Sequence, residues 1–129
     1  MLQAQNHYLT TQVQTSSPGE LTLMLYNGCI RFIKQAVVCM ERQDIHAKHA
    51  NFMRAQDIIE ELQSTLKMEY EISSNLFDLY AFIRNRLQEA NVKLNRQAAE
   101  DCIRLVTELR DTWAEALKSL KQSDRMLTL

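Results

Sequence analysis

At 129 residues the chain is long enough to bury roughly two-thirds of its unfolded surface in one core, while two Gly and one Pro leave too few turn residues for an all-β fold. The class read from this composition is all-α. A formal net charge of −1 and a pI near 6.3 set up no field for phosphate backbones or anionic lipid, which argues against nucleic acid and the membrane surface as partners.

In chain order, Met1–Thr15 is polar and Gln-rich, with Tyr8, Leu9 and Val13 as its few apolar points, so residues 1–16 read as a flexible arm or one short docked helix. Ser17 stands where an N-cap belongs, Pro18 at the first helical position, and Glu20 three residues after Ser17. This capping-box spacing predicts a helix running to about Arg42. Asp44 can cap a second helix from Ile45 to about Met68, with Phe52, Ala55, Ile59, Leu62 and Leu66 at three- and four-residue steps. Ser73 or Ser74 can cap a third, striped by Leu76, Tyr80, Ile83, Leu87 and Ala90. Asn95 can cap the last, where Ala99, Cys102, Val106, Leu109, Trp113, Ala116 and Leu120 follow a heptad-like spacing. Short polar connections imply an antiparallel up-down four-helix bundle over residues 17–121, with residues 122–129 as a frayed tail.

The first helix has more apolar surface than one interface needs. Leu21, Leu25, Gly28, Phe32, Ala36 and Cys39 fall on one side; Leu23, Tyr26, Ile30, Ile33 and Val37 fall on a second. Either this helix is central and wrapped by its neighbours, or the second side, with Phe77 and Phe82 of the third helix, forms a groove for a partner's amphipathic helix. Pattern alone leaves both open.

Catalysis and metal binding find no foothold. His46 and His49 are three apart but make half a site, and no Glu stands three residues before a His, as helical di-iron sites require. Cys29, Cys39 and Cys102 lie among apolar neighbours and read as reduced thiols of a cytosolic protein. The Pro18–Gly19 turn cannot cradle a phosphate, and the Glu60–Glu61 and Glu69–Glu71 carboxylates read as solvated surface. The first thirty residues hold one full charge, Glu20, so a basic secretory start is missing; Arg31 and Lys34 interrupt the best apolar run. The expectation is a cytoplasmic protein, not an enzyme, with no cofactor, no metal and no membrane insertion. Arg84 and Arg86, flanking Asn85 beside Tyr80, could grip a carboxylate or a backbone carbonyl of a bound chain.

Taken together, Tyr8 in a polar arm, SSPGELTLMLYNGCIRFI, RAQDIIEELQSTL, NLFDLYAFIRNRLQEAN and a last helix with ELRDTW resemble the flagellin-specific export chaperones of the FliS family. The resemblance covers about residues 8–118. Asn27 and Asn95 depart from it, standing where acidic residues are expected. It implies a bundle that binds the disordered C-terminal region of flagellin in the cytosol, prevents premature polymerisation and presents the subunit to the export gate without consuming nucleotide. The groove expected on that basis comprises Leu21, Met24, Leu25, Tyr26 and Ile33 of the first helix, Ile58 and Leu62 of the second, and Tyr80, Ile83, Arg84 and Leu87 of the third. Tyr8 and Leu9 are expected to fold over it in the free protein, a monomer or weak homodimer. Two other readings are a homodimeric module with no client, visible by light scattering, and a metal-holding bundle, visible by elemental analysis.

Overall fold

The computed structural model describes residues 17–127 of the chain. Among them are four helices and no strand: α1 Pro18–Glu41, α2 Ile45–Ser64, α3 Glu71–Lys93 and α4 Arg96–Leu127. The expected arm, with Tyr8 and Leu9, lies outside the described residues.

The helix ends follow from local chemistry, with three departures from expectation. Ser17 is extended, its Oγ accepts from the Glu20 amide at 3.2 Å, and Pro18 follows where no donor is needed. The carboxylate of Glu20 does not close the box; it lies 3.6 Å from Lys121 Nζ and ties α1 to α4. Asp44 and Asn95 cap α2 and α4 as expected, each accepting a backbone amide at 3.1 Å. The second helix ends at Ser64, short of Met68, because the Ser64 and Thr65 hydroxyls turn back onto the carbonyls of Glu61 and Leu62. The third begins at Glu71, ahead of Ser73 and Ser74; Tyr70 is its N-cap without a side-chain bond, and Glu71 in the first turn meets the positive end of the helix dipole. The fourth continues to Leu127 through the expected tail, since no Gly or Pro interrupts residues 122–127.

Contacts between helices fix the topology. Lys48 of α2 donates to the Asn91 carbonyl of α3, and Gln63 donates to that of Phe77, so numbers rising on one helix fall on the other. The α1–α4 pair shows the same reversal, with Glu41 on Arg96 at 2.6 Å and Trp113 Nε1 on the Gly19 carbonyl at 2.8 Å. Cys29 and Ala55 link α1 to α2, and Cys102 and Ile83 link α4 to α3. The helices form an antiparallel ring in which α1 packs mainly on α2 and α4, and α3 lies across the diagonal.

This ring accounts for most of the wide apolar arc of α1. Tyr26, Cys29, Ile30, Ile33, Ala36 and Val37 are buried, because α1 must face two neighbours and the bundle centre at once. The centre itself is filled by Ile33, Phe52, Ile59, Ile83, Leu87 and Val106.

Cys29 and Cys102 sit inside this core, and burial pushes both thiols from the ordinary 9.0 up to about 12. Because the folded state holds these protons more tightly than the unfolded chain, the associated stability is intact below about pH 9 and is lost as pH rises towards 12. Urea midpoints are expected to fall between pH 8 and pH 11. In the folded protein at pH 8 a thiol reagent is expected to modify half-buried Cys39 alone; rapid labelling of all three cysteines would contradict the core assignment.

Candidate functional site

Helix length creates the site. At 1.5 Å per residue, the 20 residues of α2 span about 30 Å and the 32 of α4 about 48 Å. The fourth helix therefore runs past its neighbours where α1 begins and α2 ends. Its polar ties to α3, Arg86 to Asp101 and Cys102 to Ile83, lie towards the other end. Between them opens a cavity of about 760 Å³. Its α3 wall is Ile72, Ser73, Leu76, Leu79 and Tyr80, and its α4 wall is Leu105, Leu109, Trp113 and Ala116. Leu62 of α2, Thr65, Leu66 and Lys67 just beyond its end, Thr22 and Tyr26 of α1, and Glu108 and Thr112 of α4 line it as well. Tyr70 and Ile72 at the mouth are 58% and 65% exposed, so the apolar surface continues outwards.

Two contacts hold this end in shape. Trp113, half-buried in the cavity wall, donates its indole N–H to the Gly19 carbonyl. A Cβ at Gly19 would come within 2.6 Å of Leu117 Cδ2, so the bare backbone lets α1 close onto α4. Across the diagonal, the hydroxyls of Tyr26 and Tyr80 are 2.5 Å apart. Burial raises both phenols above the usual 10.0, and the bond to Tyr26 raises Tyr80 further, so both stay protonated at neutral pH.

Of the groove residues expected from sequence, Tyr26, Leu62 and Tyr80 line this cavity. Ile33, Ile83 and Leu87 do not form a groove: each has zero exposure and belongs to the core, because all three point into the centre of the ring. Leu25 and Ile58 are half-buried against that core, and Leu21 and Met24 are half-buried outside the cavity wall. Arg84 does not stand free for a bound chain; it donates to Gln63 Oε1 at 2.9 Å. Arg86 is likewise engaged, by Glu89 and Asp101, and holds the Asp101 carboxyl below the usual carboxylate range. Phe77 and Phe82 are exposed away from the cavity.

Sequence reasoning missed Leu76, Leu79, Leu105, Leu109 and Trp113 as lining residues. No signal separated them in sequence, because a second helix expected to reach Met68 would match the α4 stripe from Ala99 to Leu120; its observed end at Ser64 opens the cavity. A second concavity, about 530 Å³, lies on the outer face of α1 beside Arg31, Lys34, Val38 and Arg42. Among the described residues no group of three or more His, Cys, Asp or Glu could hold a metal, and no helix is long and apolar enough to cross a membrane.

Bundle and cavity together define a helical binding protein whose distinctive surface is an apolar cleft open at one end. The model of the family described as "Flagellar protein FliS" matches residues 1–120. The flagellar secretion chaperone FliS of Bacillus subtilis (strain 168) is 40% identical over 118 residues, covering 92% of this chain and 88% of that one. The Vibrio cholerae protein of the same name is 33% identical over 105 residues, covering 80% of this chain and 77% of its own length. A solved bacterial flagellar chaperone, 22% identical, superposes with a TM-score of 0.74 over 92% of this chain and 98% of the other, a likeness of fold. The chain belongs to the FliS family of flagellar secretion chaperones, and it is a chaperone, not an enzyme.

Trp113→Phe keeps the ring and removes one hydrogen bond to Gly19, so a loss of about 1 kcal/mol is expected in urea denaturation. An unchanged midpoint would show that this bond does not hold the cavity end together.

Proposed function

We propose that this chain works in the cytosol as the export chaperone of flagellin, and that the cavity between α3 and α4 takes apolar side chains of flagellin's disordered C-terminal segment. The observation carrying this reading is the open apolar cavity with its exposed mouth at Tyr70 and Ile72, on a chain of the FliS family. Holding the segment keeps the subunit from polymerising until it reaches the export gate. The physical requirement is plain. Ordering a disordered client costs about 1–2 kcal/mol per residue in backbone entropy, so the chaperone must supply enough apolar area, at roughly 25 cal/mol per Å², to offset it.

The binding set in this reading keeps Tyr26, Leu62 and Tyr80 and adds Leu76, Leu79, Leu105 and Leu109. The arm has a place in it as well. Residues 1–16 hold no Asp, Glu, Lys or Arg and join α1 beside Gly19 and Trp113, next to the cavity. Fully extended they reach roughly 50 Å. In the free chaperone Tyr8 and Leu9 cover the apolar mouth, which would otherwise invite aggregation, and flagellin displaces them.

Calorimetric titration with the C-terminal segment of flagellin is expected to show saturable one-to-one binding with a negative heat-capacity change. Leu76→Asp and Leu109→Asp should weaken it at least tenfold while circular dichroism shows retained helix; Arg31→Ala, on the outer face of α1, should not. No binding by the folded wild-type chain would overturn the client reading. Deleting residues 1–15 should alter affinity or solubility, and a variant unchanged in both would remove the arm from the account.

A further inference from the structure

The cavity wall is mostly apolar, with Lys67, Glu108 and a few hydroxyls as its polar points, and two of the hydroxyls face each other. Tyr26 and Tyr80 share one hydrogen bond, and neither phenol oxygen has another partner among the described residues. Each phenol has one proton to donate, so the pair holds two donors and their mutual bond uses one. The second has no acceptor among the described residues. Ser73 is 4% exposed and lines the same cavity, and its hydroxyl has no hydrogen-bond partner among the described residues. It stands seven residues from Tyr80 on the same face of α3, two turns nearer the open end. While the cleft is open, water can serve these groups. A bound segment that expels the water must replace its hydrogen bonds or lose affinity.

Resting on the flagellin reading above, we infer that the cavity selects a segment bearing one neutral side-chain amide, Asn or Gln, among its apolar anchors, with the amide carbonyl accepting the free proton of the Tyr26–Tyr80 pair. A carboxylate fits less well, because Lys67, beyond the end of α2, is the one cation lining the cleft among the described residues, Glu108 lines it too, and burying an unpaired charge is far costlier than burying an amide. A side chain is needed rather than a main-chain carbonyl. The tyrosines are 3% and 2% exposed, deeper than the backbone of a docked helix reaches, and interior helix carbonyls are already bonded within the helix. Ser73, able to donate and accept, gives the amide nitrogen or a neighbouring polar atom a second point of contact.

The test uses the full chain and the synthetic C-terminal segment of flagellin, with each Asn and Gln of the segment replaced in turn by Leu. The wild-type segment is expected to bind the Tyr26→Phe/Tyr80→Phe double variant about tenfold more weakly than the wild-type chaperone. One amide-to-Leu segment should show a similar loss on the wild-type chaperone and no further loss on the Phe variant. If the double variant does not fold, the amide-to-Leu series on the wild-type chaperone carries the test, with about a tenfold loss expected for one segment and none for the others. Equal affinity of the unaltered segment for the wild-type and Phe chaperones would overturn this inference alone, as would losses that multiply for every amide. Absence of binding to the wild-type chaperone would overturn the flagellin reading and this one with it.

Discussion

The hydroxyl bond between Tyr26 and Tyr80 lies on the boundary between a closed bundle and an open one. On one side of it the helices meet in full layers around Ile33, Phe52, Ile83 and Leu87, with Lys48 bonded to the Asn91 carbonyl as the buried polar contact there. On the other side α2 ends, α3 is in its first turns, and α4 runs on against the start of α1. Two phenols can sit at that boundary because one donates to the other while their rings face apolar neighbours and the cleft gives the remaining proton access to water. Replacing them by leucines would extend the dry core towards the mouth; leaving only one would strand a polar group. The division into scaffold and binding surface thus follows from where four unequal helices stop overlapping.

That division suits a chaperone for a disordered client. Rigid layers at one end fix the walls, so little of the binding free energy is spent ordering the chaperone itself. The open end supplies leucines from α3 and α4, and the indole of Trp113 braces α1 against α4 beside them. A closed bundle of the same sequence length would have no such surface. A wider cleft would lose the core that holds it.

Much of the fold was legible in the sequence because capping and periodicity are local. Ser17, Asp44 and Asn95 each accept the backbone amide that their positions predict. The ends that were misplaced, at Ser64 and Glu71, depend on hydroxyl-to-carbonyl bonds and on a cap without a side-chain bond, which leave no distinctive pattern. The site was less legible for a geometric reason. Leucines at helical spacing look alike whether they face the ring centre, as Leu87 does, or an open end, as Leu109 does. Only the relative lengths of α2 and α4 separate them, and the breadth of the α1 arc drew attention to a helix that serves two neighbours. Arg84 shows the same limit in polar form, since its spacing gave no hint that Gln63 would engage it.

The most direct test of the central claim is amide hydrogen exchange of the full chain with and without the C-terminal segment of flagellin. If the end cavity is the binding surface, protection should rise over residues 70–80 and 105–116, the segments forming its two walls, and stay unchanged on the outer face of α1. Protection confined to residues 27–42, around the basic concavity of α1, would contradict the account and move the binding surface to the opposite side of the first helix.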